Sequence, residues 1–287
     1  MNGAAYSDGH WTSADGLSLH FRDYPGREDR PPLLCIPGLT RNARDFAPVA
    51  ESFAGEWRVI SLDLRGRGES DYAKDSSTYV PAQYLADIEA LLEQAGIERF
   101  VAIGTSLGGL LAMLLAAVDA ERIAGAVLND IGPVIEPEGL ERIRDYVGQG
   151  RSFPTWMHAA RALRDQGQSA FPDYGISEWL DMAKRLMVVG GNGRITFDYD
   201  MRIAEPFNTP SADADIDLWP AFRALAGRPL LVLRGELSDL LSAATLARMG
   251  REIPEAELVT VPRVGHVPSL REPEAQAAIS RLLAKCA

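Results

Sequence analysis

Short apolar runs alternate with longer amphipathic stretches along the whole chain. Residues 17–24 (LSLHFRDY) alternate in polarity as a half-buried strand does. Residues 31–38 (PPLLCIPG) and 57–64 (WRVISLDL) are nearly continuous apolar runs that read as buried strands. Residues 81–97 (PAQYLADIEALLEQAGI) open with proline and carry apolar side chains at spacings of three and four, which predicts a helix with Gly96 as its C-cap. A strand (RFVAIG), a helix from Leu107 and another strand (RIAGAVLND) follow. After a break the alternation resumes, with helices near residues 217–227, 243–253 and 272–285 separated by the strands PLLVLRG and ELVTVP.

Strand–helix alternation of this kind predicts an α/β fold: a mostly parallel central sheet flanked by helices. The break covers residues 134–210 and shows helical periodicity without a convincing strand. It is rich in aromatic side chains, among them Tyr146, Phe153, Trp156, Phe171 and Trp179. It is therefore expected to be a helical cap, or lid, inserted into a core made of residues 1–133 and 211–287. The turn-rich piece GGNG (190–193) inside it lacks the strand–turn–helix setting of a nucleotide site and reads as a loop.

Residues 102–117 (AIGTSLGGLLAMLLAA) set one hydroxyl among glycines between a strand and an apolar helix. Gly104-Thr105-Ser106-Leu107-Gly108 is a G-x-S-x-G pentapeptide. The bare pattern arises by chance, but at a strand-to-helix junction it is the sequence of a nucleophile elbow. The turn is so sharp that side chains two residues before and after the serine would collide, hence the glycines.

A serine hydroxyl needs a positioned base. Of the four histidines, His266 lies on a Gly- and Pro-bounded loop after the last strand (VPRVGHVPSL), from which it could reach back over the sheet edge. The imidazole in turn needs an acid. Asp239, after the strand PLLVLRG, is the expected acid, because the chain order serine, acid, histidine then holds with the acid past the insertion. Asp130, at the end of the strand AVLND, is the alternative, expected instead to anchor the cap; Glu236 is a third candidate. An oxyanion hole needs two backbone N–H groups. Leu107, directly after the serine, and Leu39, after Gly38 in PGLTRN, are expected to supply them.

In the segments IPGLTRN, SLDLRGRGES, GTSLGG, LRGELSD and VGHVPSL, in that order, the chain resembles the α/β-hydrolase superfamily, in its cap-bearing serine esterase and lactonase branch. The resemblance spans nearly the whole chain and implies the fold and a serine-hydrolase mechanism, without naming a substrate. One departure is Pro37-Gly38 where the family often has His-Gly. In DLRGRGES the resemblance implies that Asp63, Arg65 and Ser70 brace the site rather than react.

Composition narrows the partners. Over 287 residues the formal net charge is −11, which argues against nucleic acid and anionic membrane surfaces. No apolar run reaches the roughly 18–20 residues of a spanning helix, and the N-terminal residues lack the pattern of a signal peptide. A cytoplasmic protein is expected, with no metal or other cofactor. The two cysteines, Cys35 and Cys286, demand no oxidising compartment. The expected substrate is a small to medium carboxylic ester or lactone with an apolar body. The alternatives are C–C bond hydrolysis of a vinylogous diketone, against which Val267 rather than tryptophan follows His266, and a ligand-binding receptor that retains the catalytic residues.

Overall fold

The computed structural model describes residues 5–208 and 217–287. Eleven strands are defined among them: β1 (Ser7–Thr12), β2 (Ser18–Tyr24), β3 (Leu33–Ile36), β4 (Val59–Asp63), β5 (Phe100–Thr105), β6 (Ile123–Asn129), β7 (Ser152–Phe153), β8 (Met187–Val189), β9 (Ile195–Phe197), β10 (Leu230–Gly235) and β11 (Glu257–Val261). The α-helices are α1 (Ala47–Phe53), α2 (Pro81–Gln94), α3 (Leu107–Val118), α4 (Pro137–Tyr146), α5 (Trp156–Gly167), α6 (Ile176–Leu186), α7 (Ala204–Asn208), α8 (Trp219–Arg223), α9 (Ala243–Glu252) and α10 (Pro273–Leu283).

Eight strands form one sheet in the order β1-β2-β4-β3-β5-β6-β10-β11. From β4 to β11 all neighbours are parallel; β1 and β2 join antiparallel at one edge. Every residue of β3, β4, β5 and β6 is buried. Helices cover both faces of these strands, which is why their sequences run apolar rather than alternate. Strand β1 (SDGHWT) is the part the apolar pattern does not announce: it is a mostly exposed edge strand, with Trp11 as its one buried residue.

Local chemistry ends the elements where the pattern places them. Helix α2 starts at Pro81 and stops at Gly96, whose φ of 63° turns the chain so that Ile97 N–H reaches back to Leu92 C=O at 2.8 Å. Helix α3 is apolar on nearly every face and packs against β5, β6 and α8.

The sheet order also fixes where a site can form. The chain steps from β3 out to β4 and returns to β5 on the other side of β3. Loops leaving adjacent strands in opposite directions open a crevice at their carboxyl ends, the general location of ligand sites in open α/β sheets. The part of the chain from α4 to β9 lies over that edge. It is not purely helical as expected, because β7, β9 and β8 form a small antiparallel sheet. These strands are two or three residues long, too short to display alternation. Gly190 and Gly193 make the hairpin turn between β8 and β9. The expected end of the insertion at Pro210 lies outside the described residues.

Candidate active site

Ser106 sits between β5 and α3 with φ 52° and ψ −116°, a strained backbone conformation for a residue with a side chain. The neighbouring glycines are sterically required. A Cβ on Gly108 would lie 1.9 Å from Ile36 O, and one on Gly104 would lie 2.4 Å from Gly108 O. The elbow thus wedges directly against β3, and its hydroxyl faces the crevice.

His266 arrives on the loop after β11. Its Nε2 lies 3.0 Å from Ser106 Oγ and its Nδ1 lies 2.7 Å from Asp130 Oδ2. Several contacts hold that loop in place. Asn129 Nδ2 donates to Pro268 C=O at 3.0 Å, and Gly265 N–H donates to Ala170 C=O of the insertion at 2.6 Å.

The acid is therefore a correction. The structure sets Asp130, not Asp239, against His266. Asp130 is fully buried and has φ 58°, a left-handed conformation that aspartate tolerates better than most residues. Its Oδ1 accepts from Gly235 N–H at 2.8 Å, and its Oδ2 also accepts from Ser238 Oγ at 2.6 Å. With a carboxylate on Nδ1, that nitrogen carries the ring proton and Nε2 is left to accept from the serine. Asp239 instead leans outward to α4. There it forms a two-point pair with Arg142, whose Nη2 lies 2.9 Å from Oδ1. Burial works against its charge, but Arg142 outweighs that and holds the carboxyl below its ordinary range. The two acids have exchanged the roles expected of them: Asp239 ties down the insertion, and Asp130 meets the histidine. Glu236 accepts from Arg263 N–H at 2.7 Å.

The backbone N–H groups of Leu39 and Leu107 donate to no acceptor among the described residues. Gly38 brings the Leu39 loop against the elbow, since a Cβ there would lie 3.6 Å from Ser106 Cβ. Arg67, which the sequence reading did not single out, holds that loop from behind. Its Nε donates to Leu39 C=O at 2.9 Å, and its guanidinium stacks 4.7 Å from the Tyr84 ring centre. Asp63, Arg65 and Ser70 are likewise buried and lie off the cavity. Asp63 takes Ala43 N–H at 2.6 Å, and Arg65 is clasped by Asp87 and Asp15.

Above these groups lies a cavity of about 450 Å³. Its floor includes Leu39, Ser106 and His266; its roof includes Phe153, Leu163, Phe171, Trp179 and Met182 of the insertion. Among the described residues, no group of three or more His, Cys, Asp or Glu side chains is placed to hold a metal ion. No described helix is long and apolar enough to cross a membrane.

A family model for the alpha/beta hydrolase fold matches residues 31–273. The chain belongs to the α/β-hydrolase family. This hydrolase is 37% identical to a 3-hydroxybutyrate-oligomer hydrolase of Cupriavidus necator, over 86% of each chain. It is 28% identical to a 2-(acetamidomethylene)succinate hydrolase of Mesorhizobium japonicum, over 85% of this chain and 84% of that one. Its structure resembles that of an alpha/beta hydrolase from Novosphingobium aromaticivorans, with a TM-score of 0.95 and 65% identity over 98% of this chain and 99% of the other.

Proposed function

We propose that this hydrolase cleaves carboxylic esters through an acyl-enzyme formed on Ser106. The observation that carries the reading is the continuous line from Ser106 Oγ through His266 to Asp130, built on a turn that only glycine neighbours permit. Ser106 Oγ attacks the ester carbonyl carbon while His266 Nε2 takes its proton. The developing oxyanion sits against the free N–H groups of Leu39 and Leu107. As the carbon–oxygen ester bond breaks, His266 returns the proton to the leaving alkoxide, and the alcohol departs. Water then attacks the acyl carbon, gives its proton to His266 and releases the acid, and Ser106 recovers its proton. Asp130 keeps the imidazole oriented and stabilises its charged form throughout.

The insertion acts as a cap, and its apolar roof favours a substrate with an apolar body. A lactone satisfies the same geometry. The relative named for a 3-hydroxybutyrate oligomer, an oligoester, supports an ester over a C–C substrate. Turnover of a panel of p-nitrophenyl esters, lactones and diketones tests this. Rapid multiple turnover of esters is expected, together with labelling of Ser106 by a fluorophosphonate. S106A should lose at least about 10³-fold in kcat while remaining folded. An alanine variant that keeps a tenth of the wild-type rate overturns the mechanism, and near-stoichiometric hydrolysis points to a receptor.

A further inference from the structure

One wall of the cavity carries more positive charge than its own side chains neutralise. Arg41 leaves the Leu39 loop beside the elbow: a Cβ on Gly38 would meet both Arg41 Cγ at 3.3 Å and Ser106 Cβ at 3.6 Å. Its guanidinium makes a two-point pair with Asp45, with Nη2 2.8 Å from Oδ1. Arg185, at the end of α6 in the insertion, approaches the same carboxylate. Its Nε lies 3.6 Å from Asp45 Oδ1, too far for a hydrogen bond. Among the described residues, the side-chain hydrogen bonds that Arg185 makes are those its backbone C=O accepts, and its guanidinium donates none. Both arginines and the aspartate line the cavity, and all three are largely buried, at 21%, 14% and 12% side-chain exposure.

Two cations thus share one anion. The other charged groups lining the cavity are Arg142, Asp145 and Arg151. All three are exposed, and Arg142 is committed to Asp239. Arg185 is also held in place. Its backbone C=O accepts from Asn42 Nδ2 at 3.1 Å and Arg44 Nε at 3.0 Å, both from the loop that carries Arg41. The contrast between the two guanidiniums supports the imbalance. For Arg41, Asp45 outweighs burial and raises the value above the ordinary one. For Arg185, burial dominates; Asp45 opposes it, Arg41 reinforces it, and the value falls below the ordinary one. A buried guanidinium with unused donors in a largely apolar cavity is suited to a carboxylate, which it can bind at two points.

We propose that Arg41 and Arg185 form a subsite for a carboxylate on the substrate itself, so that the preferred ester also bears a free acid group. This rests on the ester-hydrolase reading and narrows it to half-esters of dicarboxylic acids or short oligomers of hydroxy acids. The chemistry recognised is the same in both. In the first the carboxylate lies on the acyl side of the scissile bond, in the second on the leaving side.

Two matched pairs separate these sources: mono-p-nitrophenyl glutarate against p-nitrophenyl pentanoate, and a 3-hydroxybutyrate dimer against its methyl ester. Wild-type kcat/KM is expected to favour the charged member of at least one pair by about tenfold or more. That ratio should collapse in R185Q and recover in part in R185K. Hydrolysis of the neutral esters with no preference for either charged partner overturns the subsite and leaves the hydrolase reading standing. Failure to hydrolyse any of the four overturns the ester-hydrolase reading itself. An unchanged ratio in R185Q also overturns the subsite. Should R185Q fail to fold, competitive inhibition of the wild type decides: butyrate is expected to inhibit at least about tenfold more tightly than butyramide, and equal inhibition overturns the proposal.

Discussion

Among the described residues, two histidines set Nδ1 against an aspartate carboxylate at the same distance. His266 Nδ1 lies 2.7 Å from Asp130 Oδ2, and His20 Nδ1 lies 2.7 Å from Asp63 Oδ2. In both the aspartate sits at or just after the carboxyl end of a buried parallel strand, and both of its oxygens accept further hydrogen bonds. They differ at the second ring nitrogen. His266 Nε2 meets the Ser106 hydroxyl in a cavity, whereas His20 Nε2 meets the Asp8 carboxylate 2.9 Å away. A ring flanked by two carboxylates has acceptors on both sides and has no hydroxyl to deprotonate. The aspartate orients the ring in each couple; the other neighbour decides whether the ring can be a base.

Exchanging each aspartate for its amide breaks the comparison most strongly. An amide can place its NH₂ against Nδ1 and favour the wrong imidazole tautomer. D130N should lower kcat by about 10²–10⁴ with circular dichroism unchanged. D239N should leave kcat within about tenfold, since Asp239 holds Arg142 rather than His266. A crippled D239N beside an active D130N would return the acid to the later strand.

D63N should show the opposite profile. Asp63 accepts from Ala43 N–H, Glu69 N–H and His20, and it makes no contact with Ser106 or His266. Loss of this buried acceptor should cost about 1–3 kcal/mol in urea unfolding, with kcat falling far less than in D130N. A D63N protein of full stability would show that the couple braces nothing. A smaller effect is expected at the insertion's anchor. Arg142 is 43% exposed, so breaking its pair in R142Q should cost at most about 1 kcal/mol and act chiefly on KM.

What could be read from the sequence follows the same division. The elbow is legible because its glycines answer local clashes: Gly104 and Gly108 are needed by atoms within a few residues or on the adjacent strand. His266 is legible by order, as the histidine after the last strand. The partner of His266 is not legible, because Asp130 and Asp239 both follow strands of the same sheet edge and carry the same chemistry. What separates them is the left-handed backbone of Asp130 and the reach of Arg142 from α4, and neither leaves a local pattern. The short strands β7, β8 and β9 were hidden for a related reason: each is too brief for a period and exists only through its partners. Arg67 and Arg185 act across 28 residues to Leu39 and 140 to Asp45, beyond any local spacing.

The smallest effect in the comparison concerns charge on His20. Burial opposes the imidazolium there, but Asp63 and Asp8 outweigh it and raise His20 above the ordinary histidine value of 6.5. The sign of the consequence follows from proton binding. Between the unfolded and the folded value, the native state holds a proton that the unfolded chain has released, so stability falls as pH rises across that interval. The contribution is complete below about 6.5 and lost as pH rises through the folded value. Replacing His20 by glutamine removes the titrating group. The difference in urea midpoint between wild type and H20Q should therefore be greatest at mildly acidic pH and shrink as pH rises, while kcat barely moves. A difference that grows with pH would mean that His20 sits neutral between its carboxylates, and the contrast with His266 would then lie in access to Ser106 alone.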